Sequence, residues 1–184
     1  MKRFSKGEKI YSKKADKLPA FLERTEINSI LNNAKSDNRR NYLMLQFLWR
    51  TGVRVGELVS LTKRDIKDGN IYIKQGKGAK DRVIPLDKGL DDMLGFYLDN
   101  LGPKDRIFGM TDRNVRFIIN KYTPEGIHAH PHTFRHSFAV HCLKQGMNVR
   151  SLQKILGHSS LENTAIYLDI VAEDIKMDLE KVEF

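Results

Sequence analysis

Three short segments of this 184-residue sequence place fixed cations, histidines and a tyrosine at spacings able to hold an oxyanion and move a proton. The first is TGVRVGEL, residues 51–58. Arg54 follows Thr51 and Gly52 at the expected start of a helix, where its fork of donors adds to free backbone amides. Glu57, three residues on, is placed to orient it; the plain alternative is a surface Arg–Glu pair of little energetic weight. The second segment is HPHTFRH, residues 130–136. His132, Arg135 and His136 fall at i, i+3 and i+4 and share one helical face, while Phe134 and Phe138 point the other way, into a core. One permanent cation beside two groups that titrate near neutrality suits a phosphodiester whose oxygens are held while a proton moves. A partly buried, hydrogen-bonded histidine cluster is the structural alternative. A metal site is another, with His128, His130, His132 and Cys142 close in sequence. The sequence has no HExxH and no CxxC, and Arg135 would repel a cation, so no metal is assigned. The third segment is LGHSSLENTAIY, residues 156–167. His158 follows a helix-ending glycine and Tyr167 comes nine residues later. Tyrosine is an ordinary core residue and five others occur in the chain, so Tyr167 stands out only by its company.

The elements that must position these residues read as helices around one small sheet. Ile27, Ile30, Leu31 and Ala34 mark a helix from Thr25; a second, strongly apolar, covers about Asn41–Trp49 and breaks at Thr51 and Gly52; a third starts near Arg54. Asp68, Gly69 and Asn70 make a turn. Ile71–Gln75 and Arg82–Leu86 read as two strands around the glycine-rich tip GKGAK. Asp87 caps a helix carrying Leu90, Leu94, Tyr97, Leu98 and Leu101, which Gly102 and Pro103 end. Thr111 opens another helix, to about Tyr122. Helices follow at about His132–Lys144 and at Val149–Leu156, the latter ended by Gly157. Ser159 with Glu162 resembles a capping box for the helix carrying Tyr167. The tail EDIKMDLEKVEF reads as a separate, last amphipathic helix. The predicted fold class is mainly α with a small antiparallel β-sheet; strand–helix alternation is missing, which excludes a doubly wound fold.

Composition narrows the partner. With 32 Lys and Arg against 23 Asp and Glu, the formal net charge is +9, which attracts polyanions, nucleic acid first. Residues 1–18 carry seven of the basic residues against two acids and read as a flexible arm or the remnant of a linker, with Lys13 and Lys14 among its DNA contacts. A globular domain is expected over residues 19–184. No stretch approaches the roughly 20 apolar residues of a membrane span, and no apolar run follows the basic N-terminus as in a secretory peptide. The single cysteine, Cys142, excludes an internal disulfide and fits a reducing, cytoplasmic setting.

Taken together, the segments resemble the catalytic domain of the tyrosine recombinase (phage-integrase) family over roughly residues 19–180. TGVRVGELVSL resembles the first-arginine box and implies that Arg54 is that arginine. GKGAKDRVIPL, residues 76–86, resembles the hairpin with the catalytic lysine, which alignment places on Lys77 with Lys80 as its rival. HPHTFRHSFA assigns His132 and Arg135 to the second box. LGHSSLENTAIYLDI assigns His158 and the nucleophile Tyr167. The resemblance implies a fold shared with type IB topoisomerases and cleavage of double-stranded DNA through a 3′-phosphotyrosine. Lys77 would act as general acid; Lys80 and Arg82 would touch DNA. No cofactor, ATP or metal is implied. It also implies a homo-oligomer assembled on DNA through the last helix, where Ile175 and Leu179 share a face with Val171 and Val182 nearby. Members usually carry a further helical domain ahead of this one, where here the basic arm stands. Rival expectations are a topoisomerase-like nicking–closing activity and a DNA-binding module that never cuts.

Overall fold

The computed structural model of the chain describes residues 19–74, 81–158, 160 and 162–180, with the backbone alone at 162 and 173–179. Its helices are α1 (Arg24–Asp37), α2 (Arg39–Thr51), α3 (Val55–Ser60), α4 (Lys88–Leu98), α5 (Asp112–Tyr122), α6 (Pro131–Lys144), α7 (Val149–Leu156) and α8 (Glu162–Leu179). A sheet ordered β1 (Ile66–Lys67), β2 (Asn70–Ile73), β3 (Arg82–Pro85) lies between α3 and α4 in the chain. Mainly helical with one small antiparallel sheet, this is the fold class the sequence predicts.

Local chemistry sets most boundaries. Asn38, Asp87, Thr111, His130 and Asn148 each accept a backbone N–H at a helix start, as capping requires. Gly52 and Gly157 end α2 and α7 in the left-handed region, at φ 61° and 64°. The sheet exceeds the two predicted strands by one. Asp68 and Gly69, both at positive φ, turn the chain so that the two residues of β1 pair with β2, Ile66 opposite Ile71. Two positive-φ residues make the turn that suits a twisted hairpin, and a two-residue strand is too short to show alternation.

The second difference is at the C-terminus. The predicted break between the Tyr167 helix and a last helix is absent: α8 runs unbroken for 18 residues, from Glu162 to Leu179. No glycine or proline interrupts that stretch, so nothing overrides helix propagation. The expected Ser159–Glu162 capping box, the face made by Ile175 and Leu179, Val182, the basic arm and the hairpin tip lie outside the described side chains. Among the described residues, no helix is long and apolar enough to cross a membrane.

Two buried clusters make up the core. The larger joins α1 to α5, the sheet and Phe134; the smaller joins Phe138, Ala139, Val140, Leu143, Leu152, Leu156, Tyr167 and Ile170. Helix α6 serves both, and is therefore buried nearly all round rather than on one stripe. Gly52 marks the seam. A Cβ there would lie 2.4 Å from Phe138 Cδ1 and 3.1 Å from Leu156 Cδ2, so α2, α6 and α7 meet only because this residue has no side chain.

Candidate active site

The seam between the clusters collects the chemically able residues. Arg54 precedes α3. Its backbone amide donates to Glu57 Oε2 at 2.7 Å and its side chain to Glu57 Oε1 at 3.2 Å. The N-cap amide of Arg54 is thus taken by Glu57, and the Arg54 side chain, 39% exposed, is the part left to meet a ligand. Glu57 is held from its other side by Arg82, whose two terminal nitrogens donate to its two oxygens at 2.8 Å each. Burial pushes the Glu57 carboxyl up, but the bonds from Arg82 and the Arg54 amide, with both guanidinium charges, outweigh it and hold the group below the usual range.

Arg135 points from α6 into the seam and is 4% exposed. One terminal nitrogen donates to the Gly52 carbonyl and the other to the Leu156 carbonyl, each at 2.6 Å. These two acceptors are the orphan ends of α2 and α7, so Arg135 joins three helices. Burial, then repulsion from Arg54, lowers its pKa to about 10, which leaves it charged at neutral pH. Each terminal nitrogen keeps a second N–H.

Tyr167 lies on α8 and is 2% exposed. Its hydroxyl is 2.8 Å from His136 Nδ1. Burial raises its pKa; attraction to Arg135 and Arg54 works the other way and is outweighed. The two cations therefore do not bring the phenol below its ordinary range in this arrangement, because the ring is desolvated. His158 sets its Nδ1 3.0 Å from the hydroxyl of fully buried Thr164, and its ring runs nearly parallel to that of Tyr167, with centroids 6.5 Å apart. The pKa values of His136 and His158 are both lowered to about 4, by burial first and then by neighbouring positive charge. Both rings are neutral at pH 7.

The predicted set is thus gathered unequally. Arg54, Arg135, His158 and Tyr167 come together. His132 stands exposed at the edge, its ring 6.4 Å from that of His136. Lys77, Lys80, Lys13 and Lys14 lie outside the described residues. Arg82, expected on DNA, has its side chain 7% exposed and turned inward onto Glu57, because β3 alternates and Arg82 occupies an inward position with Ile84. Sequence reasoning passed over two partnerships, Arg82 with Glu57 and His136 with Tyr167. Only the i+4 spacing of His136 from His132 hinted at the second. Among the described residues, no group of three or more His, Cys, Asp or Glu is arranged to hold a metal ion.

Comparison with known proteins bears on the family and the fold. The pattern of the Phage integrase family matches residues 20–173. A tyrosine recombinase of Pseudothermotoga lettingae is 40% identical over 169 residues, covering 86% of this chain and 59% of the relative. The chain therefore spans about three fifths of that relative's length. A crystal structure of XerA recombinase superposes with a TM-score of 0.74 at 28% identity, covering 91% of this chain and 67% of that one. XerH site-specific recombinase, bound to palindromic difH substrate in a post-cleavage complex, superposes with a TM-score of 0.71 at 26% identity, covering 90% of this chain and 54% of that one. With the family pattern matched over residues 20–173 and the fold shared, the chain belongs to the phage integrase family.

Proposed function

We propose that this chain cleaves and rejoins double-stranded DNA at specific sites through a 3′-phosphotyrosine at Tyr167, in support of recombination or integration. The observation that carries the proposal is the convergence at the seam. The fold brings His136 onto the Tyr167 hydroxyl and the His158 ring alongside that of Tyr167, with Arg135 and Arg54 close enough for their charges to act on it. The post-cleavage XerH complex supports the same reading by likeness.

The Tyr167 hydroxyl oxygen attacks the scissile phosphorus, forming the phosphotyrosine ester as the bond to the 5′ oxygen breaks. Arg54 and the outward N–H groups of Arg135 hold the non-bridging oxygens as charge builds, where preorganised donors act most strongly. His158 adds a hydrogen bond. His132, the candidate from the second motif, takes the phenol proton as a base or assists by positioning, while His136 is the histidine in contact with the hydroxyl. Lys77 delivers a proton to the departing 5′ oxygen, with Lys80 its rival. Attack by a 5′ hydroxyl of a partner strand reverses the step, and the bond energy is kept in the ester. Because Tyr167 is buried, its side chain must leave its place when DNA binds. Lys13, Lys14 and the rest of the basic arm add affinity for any sequence, in a cytoplasmic, DNA-associated setting. Subunits assemble on DNA through the end of α8; sedimentation of a free monomer that assembles on DNA would support this, and a lasting monomer on DNA would refute it.

The test is a nicked DNA substrate that traps the adduct in denaturant. An adduct from the unaltered chain that disappears in Tyr167→Phe is expected. No adduct, or one undiminished in that variant, overturns the assignment. Relaxed plasmid without recombinant product would point instead to nicking and closing alone.

A further inference from the structure

Arg54 has an acid at its side. Glu57 is near enough to cancel its charge, and a cation already paired with its own carboxylate is a poor phosphate ligand. Arg82 changes that balance. It engages both oxygens of Glu57 at 2.8 Å, the strong fork-to-fork arrangement, whereas the Arg54 side chain has one bond to Glu57 at 3.2 Å. Two guanidinium groups and one carboxylate leave one net positive charge. The burial gradient says where it faces: side-chain exposure is 7% at Arg82, 14% at Glu57 and 39% at Arg54. The closed pair is inside and the loosely held cation is outside.

Arg82 is itself fixed from a third direction. Its Nε donates to the Ile155 carbonyl at 2.7 Å. Its stem lies so close to Gly157 that a Cβ there would sit 2.8 Å from Arg82 Cδ. Gly157 immediately precedes His158. One side chain on β3 thus touches the acid beside Arg54 and the turn that presents His158.

We propose that Arg82 is a positioning residue that occupies the Glu57 carboxylate, so that Arg54 keeps its charge available to a DNA phosphate. The inference rests on the reading of Arg54 as a phosphate ligand. It makes Glu57 a buried counter-ion for Arg82 more than a partner for Arg54. It also ties the hairpin strand to both halves of the phosphate site.

The test is equilibrium binding of the full chain, carrying Tyr167→Phe to prevent covalent trapping, to a DNA duplex over a salt series. Arg82→Met should bind several-fold more weakly, and its slope of log affinity against log salt should flatten by about 0.9, the value of one phosphate contact. Adding Glu57→Gln should restore the slope and most of the affinity, because the carboxylate that captured Arg54 is gone. A purely structural role predicts the opposite for the double variant, which would bind no better than Arg82→Met alone. Should Arg82→Met fail to fold, as judged by thermal melting, Arg82→Lys decides. It should show the same loss to a smaller degree, again reversed by Glu57→Gln. An unchanged slope in the folded single variant, or a loss that Glu57→Gln does not reverse, overturns the proposal. A parent protein with no affinity for duplex DNA would overturn both this inference and the functional reading beneath it. An unaltered chain that binds without forming an adduct would overturn the cleavage reading alone.

Discussion

The two sides of the site are held in different ways. On the clamp side, the guanidinium groups have fixed partners: Arg135 bridges the carbonyls of Gly52 and Leu156, and Arg82 and Arg54 share Glu57. On the side of the proposed nucleophile, the Tyr167 hydroxyl has one hydrogen bond among the described residues, to His136, and its ring is held by apolar packing in the smaller cluster. The difference matches what the proposed mechanism asks of each side. Stabilising developing charge requires donors set before the reaction, since reorganising them during it costs free energy. A nucleophile must reach a phosphorus atom in line, and a side chain held by nondirectional packing can leave its place without breaking a polar network.

Substitutions on the two sides should therefore differ in stability as well as in rate. The largest effect is expected for Arg135→Met. It leaves the Gly52 and Leu156 carbonyls unpaired in the seam, at about 1–3 kcal/mol each, and should slow adduct formation by about 100- to 1000-fold. Denaturant unfolding and single-turnover trapping measure the two losses; an intact stability would break the contrast. Next is Gly52→Ala, which forces a Cβ into Phe138 at a positive φ of 61°. Left-handed strain and overpacking together should cost about 2–5 kcal/mol in an unfolding titration. Tyr167→Phe should cost only about 1 kcal/mol of stability, one hydrogen bond, while removing the adduct altogether. A loss as large as that of Arg135→Met would show that the nucleophile is not the lightly held side.

The mildest effect is graded with pH. His136 and His158 have folded-state pKa values of about 4 against an ordinary 6.5. The unfolded chain binds more protons between those values, so stability is fully present above about 6.5 and falls as the pH drops toward 4. Melting temperature should decline over that window, modestly because both rings are only partly buried. A His136→Gln, His158→Gln double variant should flatten the decline; an unaltered profile would show that these rings do not govern it.

Much of this protein follows from local sequence chemistry. Gly52, Asp87, Thr111 and Gly157 set helix ends because capping and left-handed φ depend on a residue and its near neighbours. The motifs around Arg54, Arg135, His158 and Tyr167 were legible for the same reason, and the fold brings those four residues together. Two local signals fell short. A two-residue β1 offers no alternation to read, and the junction after Tyr167 holds nothing to stop a helix that was expected to end. What only the tertiary structure decided is who meets whom across the chain. Arg82 turned inward because β3 packs beside α3 and the end of α7, where an unpaired Glu57 would be costly to bury. His136, rather than His132, meets Tyr167 because α8 crosses α6 one turn further along. Tyr167 is buried because the smaller cluster, built from α6, α7 and α8, closes over it. Each of these depends on packing between elements distant in sequence, which periodicity and spacing do not encode.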